Sequence, residues 1–154
     1  MIEDIDILLV EDSAADQEMT MRTLQKRHVS NRVHIVGDGA EALDFLFGRG
    51  KYEGRTPQHA PKVMLLDIKL PKMNGIEVLR AVKGHPEFRS MPVVMLTSSR
   101  EEPDILECYG LGVNSYIVKP VDFDQFSDAV AGVGLYWLIL NEPPPPGART
   151  AYGP

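Results

Sequence analysis

Residues 63–75 read VMLLDIKLPKMNG. The stretch opens on four apolar residues, Val63, Met64, Leu65 and Leu66. A run that short without polar relief reads as a strand buried on both faces. It stops at a carboxylate, Asp67. Pro71 and the Asn74-Gly75 pair then punctuate a loop, and an apolar repeat at helical spacing starts at Ile76. Asp67 therefore stands where a buried strand ends and its loop begins. In open parallel sheets ligands bind outside that carboxyl edge. A plainer use exists, because Asp also caps turns and helices, and this stretch alone does not separate the two.

Three other buried runs end in polar residues that chemistry can use. Residues 5–10 (IDILLV) end in Glu11-Asp12, 92–96 (PVVML) in Thr97-Ser98-Ser99, and 115–118 (SYIV) in Lys119-Pro120. Residues 32–36 (RVHIV) supply a fifth strand. Helical patterns lie between them. The first covers 14–28, with Ser13 and Asp16 spaced as a capping box and Ala15, Met19 and Leu24 as its inward residues. The second covers 40–47. A third starts at Ile76, with Asn74 as N-cap and Ile76, Leu79 and Val82 inward, and Gly84-His85-Pro86 stops it. A fourth opens on Glu101, Glu102, Pro103 and Asp104, residues that a first helical turn favours, and runs to about Tyr109. The last covers 123–140. The segment 48–61, with its Gly and Pro, reads as a long exposed loop. Strands alternating with helices imply an α/β domain with a parallel sheet covered on both faces.

The 154 residues are enough for one domain, here 1–141, followed by a Pro-rich tail over 142–154 expected to be extended or disordered. Apolar residues at 44 % and charged ones at 25 % are near the globular average, which argues against wholesale disorder. A net charge of −6 with no basic cluster argues against a nucleic-acid binder. Cys108 is alone, so no internal disulfide forms. The acidic start MIEDID is no signal peptide. No apolar run approaches the roughly 20 residues of a membrane helix, and the expected location is the cytoplasm.

Parallel strands bring Glu11, Asp12, Asp67, Thr97 and Lys119 to one rim. Three close carboxylates repel unless a cation joins them, and hard Mg²⁺ suits carboxylates, a carbonyl and waters. A carboxylate so placed can act as a nucleophile toward phosphorus. A Lys ammonium neutralises phosphoryl oxygens, and a Thr hydroxyl donates to another. Together these residues make a kit for phosphoryl transfer. Each alone has a plainer use: Lys119 as a surface charge, Thr97 or Asp12 as a helix cap.

With these residues in place the chain resembles a response-regulator receiver domain, the phosphoacceptor half of two-component signalling. The resemblance runs from about Ile5 to Leu140 and rests on Glu11-Asp12, LLDIKLPKMNG, Thr97 and Lys119-Pro120. It implies a flavodoxin-like, doubly wound, five-stranded parallel sheet of order 2-1-3-4-5. It implies that Asp67 is phosphorylated by a sensor histidine kinase, that Glu11, Asp12, Asp67 and the Lys69 backbone carbonyl hold Mg²⁺, and that Thr97 and Lys119 contact the phosphoryl group. Thr97 and Tyr116 become switch residues, although Tyr116 also reads as an ordinary half-buried strand aromatic. The Lys119-Pro120 bond becomes cis. A narrower similarity, in FLFGRGKYEGRTPQHAPK, LTSSREEPDI and the extended last helix, is to small stand-alone receivers of phytochrome-type kinases.

Other functions fit less well. A metal-dependent phosphatase similar to the haloacid-dehalogenase family wants a second Asp two residues after the nucleophile, where this chain has Lys69. A flavodoxin-like cofactor binder wants an uncharged phosphate loop where Glu11-Asp12 stand. A receiver that works without phosphorylation is a needless assumption with the rim complete. Because only the Pro-rich residues follow the last helix, the expected output is protein contact. In the second half of that helix Val133, Leu135, Tyr136, Trp137, Leu138, Ile139 and Leu140 occupy every side. That surplus apolar surface points to a homodimer with Tyr136, Trp137 and Leu138 at its interface.

Overall fold

A computed structural model describes residues 2–26, 32–120, 122, 124–126 and 128. The elements are β1 (Ile7–Val10), α1 (Ala14–Lys26), β2 (Val33–Val36), α2 (Gly39–Phe47), β3 (Val63–Leu66), α3 (Gly75–Gly84), β4 (Val93–Thr97), α4 (Glu102–Gly110) and β5 (Ser115–Val118). All pairings are parallel and the sheet order is β2-β1-β3-β4-β5. The fold is thus the flavodoxin-like one expected. The expected helix over 123–140 is described only at 124–126 and 128, which are helical. Tyr136, Trp137, Leu138 and the tail over 142–154 lie outside the described residues.

The short apolar runs form strands because successive side chains serve opposite faces. Leu8, Val10, Met64, Leu66, Val93 and Met95 face one side, where α2, α3 and α4 cover them with Phe45, Leu79, Val82 and Cys108. Ile7, Leu9, Val63, Leu65, Val94 and Leu96 face the other, where they meet Leu24 of α1 and Phe126. Fully burying a side chain such as Leu79 or Phe126 contributes about 1.5–3 kcal/mol.

Several boundaries differ from the sequence reading. β4 starts at Val93, since Pro92 has no N–H to donate to the ladder, and it extends to Thr97, which pairs with Val118. β2 starts at Val33, α2 at Gly39 behind its N-cap Asp38, and α4 at Glu102. Asn74 caps α3 as expected, accepting from the Glu77 N–H at 3.0 Å. In α1 Leu24 is buried as expected, but the residue that shares its inward stripe is Thr20, whereas Ala15 is exposed and Met19 is 53 % exposed.

The segment 48–61 is not a bare loop. It holds two single turns of 3₁₀ helix, Gly50–Tyr52 and Pro57–His59. Tyr52 packs edge-on against His34 and Phe45, and the Arg55 guanidinium lies 4.0 Å from the Phe45 ring centre. Charged and aromatic residues that read as solvent-facing in sequence here clamp the edge strand β2 to α2.

Candidate functional site

The register of the strands builds the rim. Val10 pairs with Leu66, and Thr97 with Val118. Residues one step beyond are carried to the same edge. Their main chains are tied there by hydrogen bonds: Glu11 N–H to Val36 O at 3.0 Å, Asp67 N–H to Val10 O at 3.1 Å, and Lys119 N–H to Thr97 O at 2.9 Å. The loop after Asp67 folds tightly, with the Gly75 N–H donating to Ile68 O at 2.8 Å. A Cβ at Gly75 would lie 1.9 Å from the Asp67 carbonyl oxygen, so only glycine fits this approach.

Carboxylate oxygens of Glu11, Asp12 and Asp67 lie within 4.8 Å of one another. Glu11 and Asp67 are buried and Asp12 is exposed. Lys119 enters from β5 with a side chain only 13 % exposed, so it is no ordinary surface lysine. Its Nζ donates to Glu11 Oε1, to Asp67 Oδ2 at 2.8 Å and to Asp16 Oδ2 at 2.9 Å. Asp16 was legible only as a cap. Its N–H does donate to the Ser13 hydroxyl at 3.2 Å, but its carboxylate turns to Lys119, and the Ser13 N–H goes instead to Glu11 Oε2 at 3.1 Å. Ser13, not Asp12, therefore caps α1. The helical spacing that suggested a capping box also brings a carboxylate to the rim, and nothing in the sequence separates the two uses.

The electrostatics follow from one ammonium serving three carboxylates. Burial raises the Glu11 carboxyl above its usual range. Lys119 and the Ser13 N–H pull it down, and the Asp67 charge pushes it up again. For Lys119 burial works against the charge, but the hydrogen bonds to Asp67, Glu11 and Asp16 outweigh it and raise its pKa. The ammonium is firmly charged, yet it cannot fully compensate every acid around it.

Thr97 is fully buried and does not cap α4. Its hydroxyl accepts from the Ser99 N–H at 3.3 Å. Lys69 is exposed, and its N–H faces Asp67 Oδ1 at 3.4 Å. Tyr116 is half-buried and its hydroxyl donates to the Ser99 carbonyl at 2.9 Å. The Ser99 hydroxyl in turn donates to Asp104 Oδ2 at 2.6 Å. The Lys119-Pro120 bond is cis. A sheet edge carrying buried acids, an ammonium held among them, and a buried hydroxyl is matched over residues 7–131 by the family model for the response regulator receiver domain.

The chain belongs to the response regulator receiver family.

Within that family this receiver is 39 % identical to the response regulator Rcp1 of Synechocystis sp. over 132 residues, 86 % of this chain and 88 % of Rcp1. A solved structure of Rcp1 in its Mn²⁺-bound form is similar at a TM-score of 0.71, with 36 % identity, covering 92 % of this chain and 99 % of that one. The bacteriophytochrome response regulator RtBRR is similar at 0.79, with 51 % identity, covering 97 % of this chain and 89 % of that one. The phosphorylated cyanobacterial phytochrome response regulator RcpA is similar at 0.72, with 38 % identity over 88 % of this chain and 95 % of that one. The receiver stands among phytochrome-type members of the family, as its long connection after α2 suggested. Among the described residues no helix is long and apolar enough to cross a membrane.

Proposed function

We propose that this receiver accepts a phosphoryl group on Asp67 from the phosphohistidine of a sensor histidine kinase of phytochrome type, and signals by protein contacts. The observation that carries the reading is Lys119, which is held among Glu11, Asp16 and Asp67 beside the buried Thr97. An Asp67 oxygen attacks phosphorus, the bond from phosphorus to the kinase imidazole breaks, and the imidazole leaves. Glu11, Asp12, Asp67 and the Lys69 carbonyl would hold a divalent cation, and an all-oxygen set of this kind fits Mg²⁺. That cation, when bound, supplies charge neutralisation for the transferring group. Lys119 exchanges its bond to Asp67 Oδ2 for one to a phosphoryl oxygen. Thr97 turns its hydroxyl proton to another. Tyr116, held by Ser99 two residues from Thr97, follows that movement. Slow attack by water on the acyl phosphate resets the site, so the chain catalyses its own phosphorylation and dephosphorylation rather than turning over a substrate.

The test is a Mg²⁺ titration followed by phosphorylation from acetyl phosphate, in wild type and Asp12→Ala. The variant should lose at least about tenfold in metal affinity and most of its phosphorylation. Normal phosphorylation at normal Mg²⁺ demand would contradict the assignment.

We also infer, from the apolar sequence over 133–140, that two copies associate through the last helix in the cytoplasm, where the kinase partner is met. Sedimentation at micromolar concentration should show a dimer that Trp137→Glu and Leu138→Glu abolish. A dimer indifferent to both changes would rule this interface out.

A further inference from the structure

An ammonium has three N–H donors, and each donor of Lys119 meets a carboxylate from a different element. Glu11 follows β1, Asp67 follows β3 and Asp16 lies in the first turn of α1. Glu11 and Asp67 belong to the acidic cluster assigned above to a divalent cation. Asp16 lies outside it. A divalent cation repels an ammonium held among the same acids, so a cation drawn to Glu11 and Asp67 weakens the contacts of Lys119 to both. Asp16 is then the carboxylate that remains. It is held for that task, because its N–H is tied to the Ser13 hydroxyl at 3.2 Å and its carboxylate is not used for capping. The start of α1 is further fixed by the Gln17 amide, which donates to the Glu11 carbonyl at 2.6 Å. Beside Lys119 a groove of about 270 Å³, lined by Asp16, Met19, Thr20, Ser98 and Pro120, gives the ammonium room to move.

We propose that Asp16 is a positioning residue, which takes over Lys119 when the cation claims Glu11 and Asp67 and keeps the ammonium beside Asp67 for the incoming phosphoryl group. The inference rests on the cation and phosphoacceptor roles given to the rim above. It makes Asp16 act through Lys119 and not on the cation.

The experiment is a calorimetric titration with Mg²⁺ alone of wild type, Asp16→Asn, Lys119→Met and the double variant. Asp16→Asn should bind Mg²⁺ about three- to tenfold more weakly than wild type, because the displaced ammonium has lost its alternative partner. In the Lys119→Met background the same change should cost less than about twofold, leaving only the long-range field of one charge. Asp16→Glu, which keeps a carboxylate on the same turn, should restore most of the affinity. An Asp16→Asn protein equal to wild type would overturn the proposal. So would a loss of equal size in both backgrounds, since Asp16 would then act on the cation directly, and so would failure of Asp16→Glu to rescue. A wild type that does not bind Mg²⁺ would instead overturn the cation site itself, and the proposal with it.

Discussion

Glu11 uses both carboxylate oxygens, one for Lys119 and one for the Ser13 N–H, while Asp12 beside it stays exposed. The acid pair was legible in the sequence, but not this division of labour, which depends on how the chain turns into α1. Asp16 shows the same limit, since its spacing from Ser13 satisfies a cap and a rim ligand equally. A second residue pair lay beyond sequence reasoning altogether. The Tyr52 hydroxyl gives its one proton to Glu41 Oε2 at 2.6 Å, so His34, 2.8 Å away, must donate to it from Nε2–H. Burial holds the His34 imidazole below its ordinary 6.5. Glu41 and Glu3 oppose the shift, and Arg55 and Lys51 add to it. The unfolded chain therefore takes up the proton more readily than the folded one. This contribution to stability is present above about pH 6.5 and is lost as the pH falls through the folded-state pKa. Urea midpoints taken between about pH 7.5 and about pH 5.5 should decline in wild type and decline less in His34→Gln. Equal declines would remove His34 from the pH response.

Among the elements, the end of β4 connects the rim to the rest of the molecule. The Ser99 N–H rests on the Thr97 hydroxyl, its own hydroxyl holds Asp104 in the first turn of α4, and its carbonyl holds Tyr116 of β5. A shift of Thr97 toward a phosphoryl oxygen would release the Ser99 N–H and so reach α4 and β5 together. Thr97→Ala should accept the phosphoryl group yet show a partner-binding response at least about tenfold smaller than wild type, a loss of switching without loss of chemistry. Partner affinity with and without beryllofluoride measures it, and an undiminished response would take Thr97 out of the switch. The strands themselves were legible to within two residues, because short unrelieved apolar runs have few other uses in a chain of this size. The inward face of α1 was not fully legible, since Leu24 could be read as inward but its partner on that stripe is Thr20, while the more apolar Met19 faces outward. Nor was the packing of 48–61, where Tyr52 and Arg55 earn their burial from aromatic and cation–π contacts. Composition marks such a segment only as polar and Gly-rich.

For the whole molecule, the parallel sheet is what turns scattered residues into a site. Glu11, Asp67, Thr97 and Lys119 are separated by tens of residues in the chain, yet strand order and register place them on one edge. That convergence could be foreseen from strand ends alone, because parallel strands all finish at the same side. The interactions that tune it, above all the sharing of Lys119 among three acids, needed the folded geometry. The central claim is that this edge delivers a phosphoryl group to Asp67. Treatment with acetyl phosphate and Mg²⁺, followed by mass mapping of the modified residue in wild type and Asp67→Asn, tests it most directly. The account predicts one phosphoryl group on Asp67 of the wild type, dependent on Mg²⁺, and none on Asp67→Asn. A phosphoryl group on another residue of the wild type, or equal modification of Asp67→Asn, would contradict it.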